Sequence, residues 1–135
     1  MKYFTMNELT HSATAIRKGI DNTPDNTAKA NLTALVANIL DPLREAYGKP
    51  IVVSSGYRCA KLNRAVGGVA RSQHITGQAA DIQSVSKSKA EHKKLFELAQ
   101  RLRLPYDQLI DEYDYKWVHI SFSSKGNRRQ VLHVK

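Results

Sequence analysis

One cysteine, Cys59, stands among 135 residues, so no internal disulfide can form and the fold cannot depend on an oxidising compartment. Cys59 itself reads as a small buried hydrophobe rather than a nucleophile. Long apolar runs are missing as well. Met1–Glu8 has no apolar stretch behind its basic residue, as a secretory signal requires, and no later segment approaches the ~20 residues of a membrane span. The expectation is a soluble chain made in the cytoplasm, with no membrane partner. Acidic residues are outnumbered, 12 against 21 Lys and Arg, which gives a formal charge of +9 and raises the question of nucleic acid. The cations are scattered from Lys49 to Arg129, with no basic recognition helix and no strand of interleaved aromatics, so nucleic acid is not expected as the partner. No glycine-rich phosphate loop follows a strand, and Gly67-Gly68 serves backbone geometry.

What is present is the material for one domain over residues 1–135, with no repeat, linker or low-complexity tract. A first helix is expected from a cap at Thr5 or Asn7 through Ala15 or Lys18, then a polar loop over 21–26. Leu32, Leu35, Val36, Ile39, Leu40, Leu43 and Tyr47 recur at three- and four-residue intervals, the stripe of a helix buried against a sheet. Pro42 should kink that helix without ending it, because the apolar period continues past it to Gly48. A strand follows over 50–54, a helical turn over 60–66, a strand over 79–83, and a helix from Ser86 or Ser88 to about Arg101 whose core face includes Ala90, Leu95, Phe96, Leu98 and Ala99. Three more strands, over 108–112, 116–122 and 129–134, complete an α+β arrangement with a mostly antiparallel sheet packed with helices.

The segment from Ser72 to Ile82 contains His74, Gly77 and Asp81, and the apolar strand further on contains His119. Two imidazoles and a carboxylate are the donor set of an open zinc site, with three protein ligands and a fourth position left for water. A loop carrying His74 can turn at Gly77 and enter the strand that delivers Asp81. Spacing alone also fits a surface-loop histidine with a turn or capping aspartate. His11, His92 and His133 lack partners at ligand spacing and read as surface or partly buried residues.

Upstream in order stand Ser54-Ser55-Gly56-Tyr57-Arg58 and Leu62-Asn63-Arg64-Ala65-Val66-Gly67-Gly68. With these, the chain from about Phe4 to Phe122 resembles the zinc D-Ala-D-Ala carboxypeptidases and phage L-alanyl-D-glutamate endopeptidases, which share the hedgehog/DD-peptidase fold. The resemblance implies one Zn2+ held by His74, Asp81 and His119, and a peptidoglycan stem peptide as substrate. The missing signal segment fits a monomer that reaches the cell wall on lysis, as a phage endolysin does, and equally a prophage-tail domain or a host recycling enzyme.

A zinc peptidase also needs a carboxylate to move protons, and Asp111, Glu112 and Asp114 all precede His119. Relatives place a glutamate at the end of an apolar strand, which points to Glu112. Two departures stand out: Lys116 sits three residues before His119, where carboxypeptidases have an acid, and the Tyr113–Tyr115 hairpin looks slightly long. Arg58 has the forked guanidinium that grips a carboxylate, a use the resemblance supports. Ser72 falls on the family's recurring serine, suited to contacting substrate or orienting the loop. Trp117 alternates with His119 on its strand and either walls the substrate groove or caps the core. The competing reading is a binding module of the same fold that does no hydrolysis, distinguished by the lack of a carboxylate near the metal.

Overall fold

Capping residues decide where the helices begin in the computed structural model, which describes residues 1–135. The Thr5 hydroxyl accepts from the Glu8 N–H to open α1 (Met6–Thr10), and the Ser12 hydroxyl accepts from the Ala15 N–H to open α2 (Ala13–Lys18). The sequence suggested one helix here. Ser12 divides it, because its side chain satisfies an orphan N–H more readily at a helix start than within a helix. Asp25 caps α3 (Asn26–Leu35), accepting from the Ala28 N–H at 2.8 Å.

The long apolar stripe continues through a π-helical turn, Val36–Leu40, into α4 (Asp41–Tyr47), which ends on left-handed Gly48. Pro42 has no N–H and its ring would crowd the carbonyl four residues back; one widened turn absorbs both problems without ending the helix. Leu32, Leu35, Val36, Ile39, Leu40 and Leu43 therefore stay buried on one side.

The sheet contains β1 (Ile51–Ser55), β2 (Ala79–Ser84), β3 (Gln108–Glu112), β4 (Trp117–Ser121) and β5 (Gln130–Val134), in the order β1-β2-β4-β3-β5. Its pairs are antiparallel except β3 with β5. Two helices complete the fold, α5 (Ala60–Ala65) and α6 (Lys89–Arg101). Cys59 is half-buried rather than buried, and its sulfur accepts from Leu62 N–H at the start of α5. No helix is long and apolar enough to cross a membrane.

Alternation along the strands divides the sheet into two chemically different faces. Ala80, Ile82, Leu109, Val118 and Ile120 join the helix residues in one core. Register sets Asp81 opposite His119, His119 opposite Ile110, and Glu112 opposite Trp117, so these side chains share the face away from the helices. The core face of α6 is His92, Leu95, Phe96 and Ala99; Ala90 is exposed, being out of phase with that stripe. His92 is fully buried, not a surface residue, and its Nδ1–H donates to the Tyr115 carbonyl at 2.7 Å.

That carbonyl belongs to an unusual turn. Tyr113, Asp114 and Tyr115, joining β3 to β4, all have positive φ, 53°, 57° and 60°. Left-handed backbone costs roughly 1–2 kcal/mol per residue for side chains of this kind. Asp111 supports the turn, its Oδ1 accepting from Tyr115 N–H at 2.6 Å while Oδ2 meets His133 Nδ1 at 2.9 Å. Asp114 points to solvent and pairs with Lys89.

Candidate functional site

Gly77 is the pivot that brings His74 to the sheet. Its φ is +75°, and a Cβ there would lie 2.6 Å from the Ala28 carbonyl oxygen, so only glycine lets the loop pass α3 so closely. The loop then enters β2, which carries Asp81, and the β2–β4 register brings His119 alongside. His74 Nε2 lies 3.3 Å from Asp81 Oδ1, and His119 Nδ1 lies 3.0 Å from the same oxygen. All three side chains are buried.

These three residues form a group whose candidate ligand atoms lie within 4.8 Å of one another. Donors around a tetrahedral zinc with bonds of about 2.05 Å stand about 3.3 Å apart, so the carboxylate–imidazole separations fit such an ion. Tautomer chemistry agrees. The Gly56 carbonyl can only accept, so His74 Nδ1 donates its proton to that oxygen at 2.6 Å, which makes Nε2, facing Asp81, the ring atom that would ligate a metal. Burial pushes the Asp81 carboxyl up, but its hydrogen bonds to His119 and His74, with their charges, outweigh this and hold it well below the usual range.

Around this group lies a cleft of about 640 Å3, walled by Arg58, Ser72, Gln73, Glu112, Trp117 and Arg128. A larger hollow of about 900 Å3 between α1, α2 and β1 contains none of the metal-binding group and none of the sequence-derived site residues. Glu112 Oε1 is 3.9 Å from His119 Nδ1. Burial and the neighbouring negative charge of Asp81 raise the Glu112 carboxyl, against a smaller downward pull from the two histidines. Of the three acids considered from sequence, Glu112 faces the cleft; Asp111 lies on the helix side of β3, and Asp114 is in solvent.

Arg58 is half-buried, which lowers its pKa from the ordinary value, while the charges of Asp81 and Glu112 act in the opposite direction. Its Nε has no partner, and Nη2 reaches Ser72 Oγ only at 3.5 Å. Ser72 Oγ also accepts from His74 N–H at 3.2 Å, so this serine shapes the loop. The Trp117 indole N–H is buried without a hydrogen-bond partner, close enough to Glu112 to contribute to its charge balance, and the ring meets Tyr113 edge-on at 5.2 Å.

Two supports are absent from the sequence reading. Asp107 accepts from Arg128 N, Nε and Nη2 and from Gln73 Nε2, tying the loop before His74 to the segment before β5. Asn22 bonds to the backbone on both sides of Arg58. No motif announces either residue, since each works through partners 12 to 37 positions away. The clue available for Asn22 was a polar residue in a loop otherwise explained by turn formation.

The match of a family of known proteins agrees with this geometry. No curated protein matches the chain. The family model for Peptidase M15 matches residues 2–121, a span that contains His74, Asp81, Glu112 and His119. The chain belongs to the Peptidase M15 family of zinc peptidases.

Proposed function

We propose that this chain is a zinc-dependent hydrolase of peptidoglycan stem peptides, cutting a D-Ala-D-Ala or an L-Ala-D-Glu bond. The observation that carries the reading is the gathering of a two-histidine, one-carboxylate donor set, a cleft-facing glutamate and an unpartnered arginine in one cleft. His74, Asp81 and His119 would hold one Zn2+. When bound, zinc supplies Lewis acidity toward a carbonyl oxygen and toward water.

Glu112 then serves as the proton carrier: its carboxylate takes a proton from the attacking water and returns it to the leaving amine. The guanidinium of Arg58 receives a substrate carboxylate or the polarised carbonyl, since its only side-chain hydrogen bond within the protein is the 3.5 Å approach to Ser72. Ser72 and Trp117 line the path of the peptide. A carboxylate this near the donor set favours hydrolysis over a purely binding role.

The reading is of a monomer whose partner is the wall peptide, with no role for nucleic acid or membrane. A positive charge of +9 suits a polyanionic wall, since long-range attraction raises encounter rates. Release at phage-mediated lysis is the proposed route to the wall. The test is to incubate zinc-loaded protein with purified muropeptides and weigh the products by mass spectrometry. Loss of a terminal alanine or separation at L-Ala-D-Glu is expected and identifies the bond; intact muropeptides in the presence of stoichiometrically bound zinc overturn the proposal.

A further inference from the structure

Arg58 enters the cleft with little to hold its far end. Nε has no hydrogen-bond partner, and the only side-chain hydrogen bond of the guanidinium is the 3.5 Å approach to Ser72. Its direction is therefore inherited from its backbone, and that backbone is braced from outside. Asn22, in the loop between α2 and α3, donates through Nδ2 to the Tyr57 carbonyl at 3.0 Å and accepts through Oδ1 from the Cys59 N–H at 2.8 Å. The residues on either side of Arg58 are thus tied to one planar amide. A further bond, Nδ2 to the Thr10 carbonyl at 2.9 Å, anchors that amide to the end of α1.

The chemistry required is specific. One rigid group must present a two-proton donor beside an acceptor, which asparagine does. Aspartate of the same shape has no proton to donate, and alanine offers neither function. The loop is also built to present this residue: Asp21 Oδ1 accepts from the Thr23 N–H and hydroxyl, Pro24 is buried, and Asp25 starts α3. On the other side, the Arg58 N–H donates to the His74 carbonyl at 3.0 Å.

We propose that Asn22 is a positioning residue for the peptidase reaction, acting through Arg58 by fixing the backbone from which the guanidinium is aimed. This rests on the substrate-gripping role of Arg58 given above. Misplacing a substrate-positioning group by about 1 Å can cost on the order of a hundredfold in rate.

The test is a double-mutant cycle with muropeptide substrate and zinc-loaded protein. Asn22→Ala and Asn22→Asp are expected to lower kcat/KM by about tenfold to a hundredfold with zinc stoichiometry and circular dichroism unchanged. In an Arg58→Ala background the same changes should cost less than about twofold, because the aim of an absent guanidinium no longer matters. Equal losses in both backgrounds would make Asn22 a general stabiliser and overturn the proposal. If Asn22→Ala fails to fold, Asn22→Asp, which keeps the acceptor for Cys59, carries the cycle. Amide hydrogen exchange gives a readout independent of turnover: Cys59 N–H should exchange at least about tenfold faster in Asn22→Ala. If the unaltered protein leaves muropeptides intact, the proposed function fails by itself, and the exchange result decides the brace, with unchanged Cys59 protection counting against it.

Discussion

Replacing Gly56 by alanine should weaken zinc binding although residue 56 is no candidate ligand. A Cβ at this position would lie 2.2 Å from the Leu9 carbonyl oxygen and 2.9 Å from its carbon, both backbone atoms that no rotamer change can move. Reaching even 3.0 Å from the oxygen requires a separation of about 0.8 Å, the difference between 3.0 and 2.2. The strand end cannot yield freely, because Tyr57 N–H donates to that same Leu9 oxygen at 2.7 Å. Whatever shift occurs carries the Gly56 carbonyl with it, and this carbonyl fixes the His74 ring and its tautomer. Overpacking of this kind costs about 1–3 kcal/mol, which at about 4 °C per kcal/mol lowers the melting temperature by about 4–12 °C. Loss of a supporting hydrogen bond to a ligating histidine weakens metal affinity by about 10–100-fold. Competition titration of zinc against a chelator of known affinity measures the second effect, and calorimetry of the metal-free protein measures the first. Wild-type zinc affinity in a Gly56→Ala protein with a lowered melting temperature would refute the coupling of this carbonyl to the metal site; if neither changes, the close approach itself is wrong.

Glu112→Gln should retain zinc and bind muropeptide while hydrolysis falls by about two to four orders of magnitude, read from single-turnover rates; near-normal turnover would remove Glu112 as proton carrier. Arg58→Lys keeps the charge but loses the fork, so kcat/KM for muropeptide should drop by about tenfold or more with zinc stoichiometry unchanged, and unaltered kinetics would reduce Arg58 to a loop charge. Asp107 is held down to about 2, first by its side-chain bonds to Arg128. A depressed carboxyl stabilises the fold above its unfolded pKa and loses that contribution as pH falls toward 2. Urea unfolding of the metal-free protein should therefore show Asp107→Asn less stable than the parent at pH 6, with the gap narrowing between about pH 4 and pH 2; a gap independent of pH would exclude the ionic bridge as its source.

Most secondary structure was visible in the sequence because each element announces itself locally. Three-four spacing from Leu32 to Tyr47 marks a helix, and the runs at 50–54, 108–112 and 116–122 mark the strands found at Ile51–Ser55, Gln108–Glu112 and Trp117–Ser121. The structure differs where hydrogen bonding or burial overrides the apolar pattern. Nothing in the apolar pattern stops the first helix at Ser12; its hydroxyl bond to Ala15 N–H does. His92 was read by its polarity, yet burial follows phase on α6, and the Tyr115 carbonyl supplies the partner that makes burial tolerable.

The chain order of Arg58, His74, Asp81 and His119, with the motifs around them, carried by sequence alone the resemblance to the family that the match over residues 2–121 shows, since donor types and turn residues are properties of single positions. Among Asp111, Glu112 and Asp114 the sequence left the choice to a strand-end analogy, because adjacent residues differ only by the face they occupy. Tertiary structure separates the faces: pairing of Glu112 with Trp117 turns one carboxylate to the cleft, and the same pleat turns Asp111 to the helices. The braces at Gly56, Asn22 and Asp107 likewise exist only in three dimensions, because hydrogen bonds between residues far apart in the chain depend on where the fold brings them, not on which residues are their neighbours in sequence.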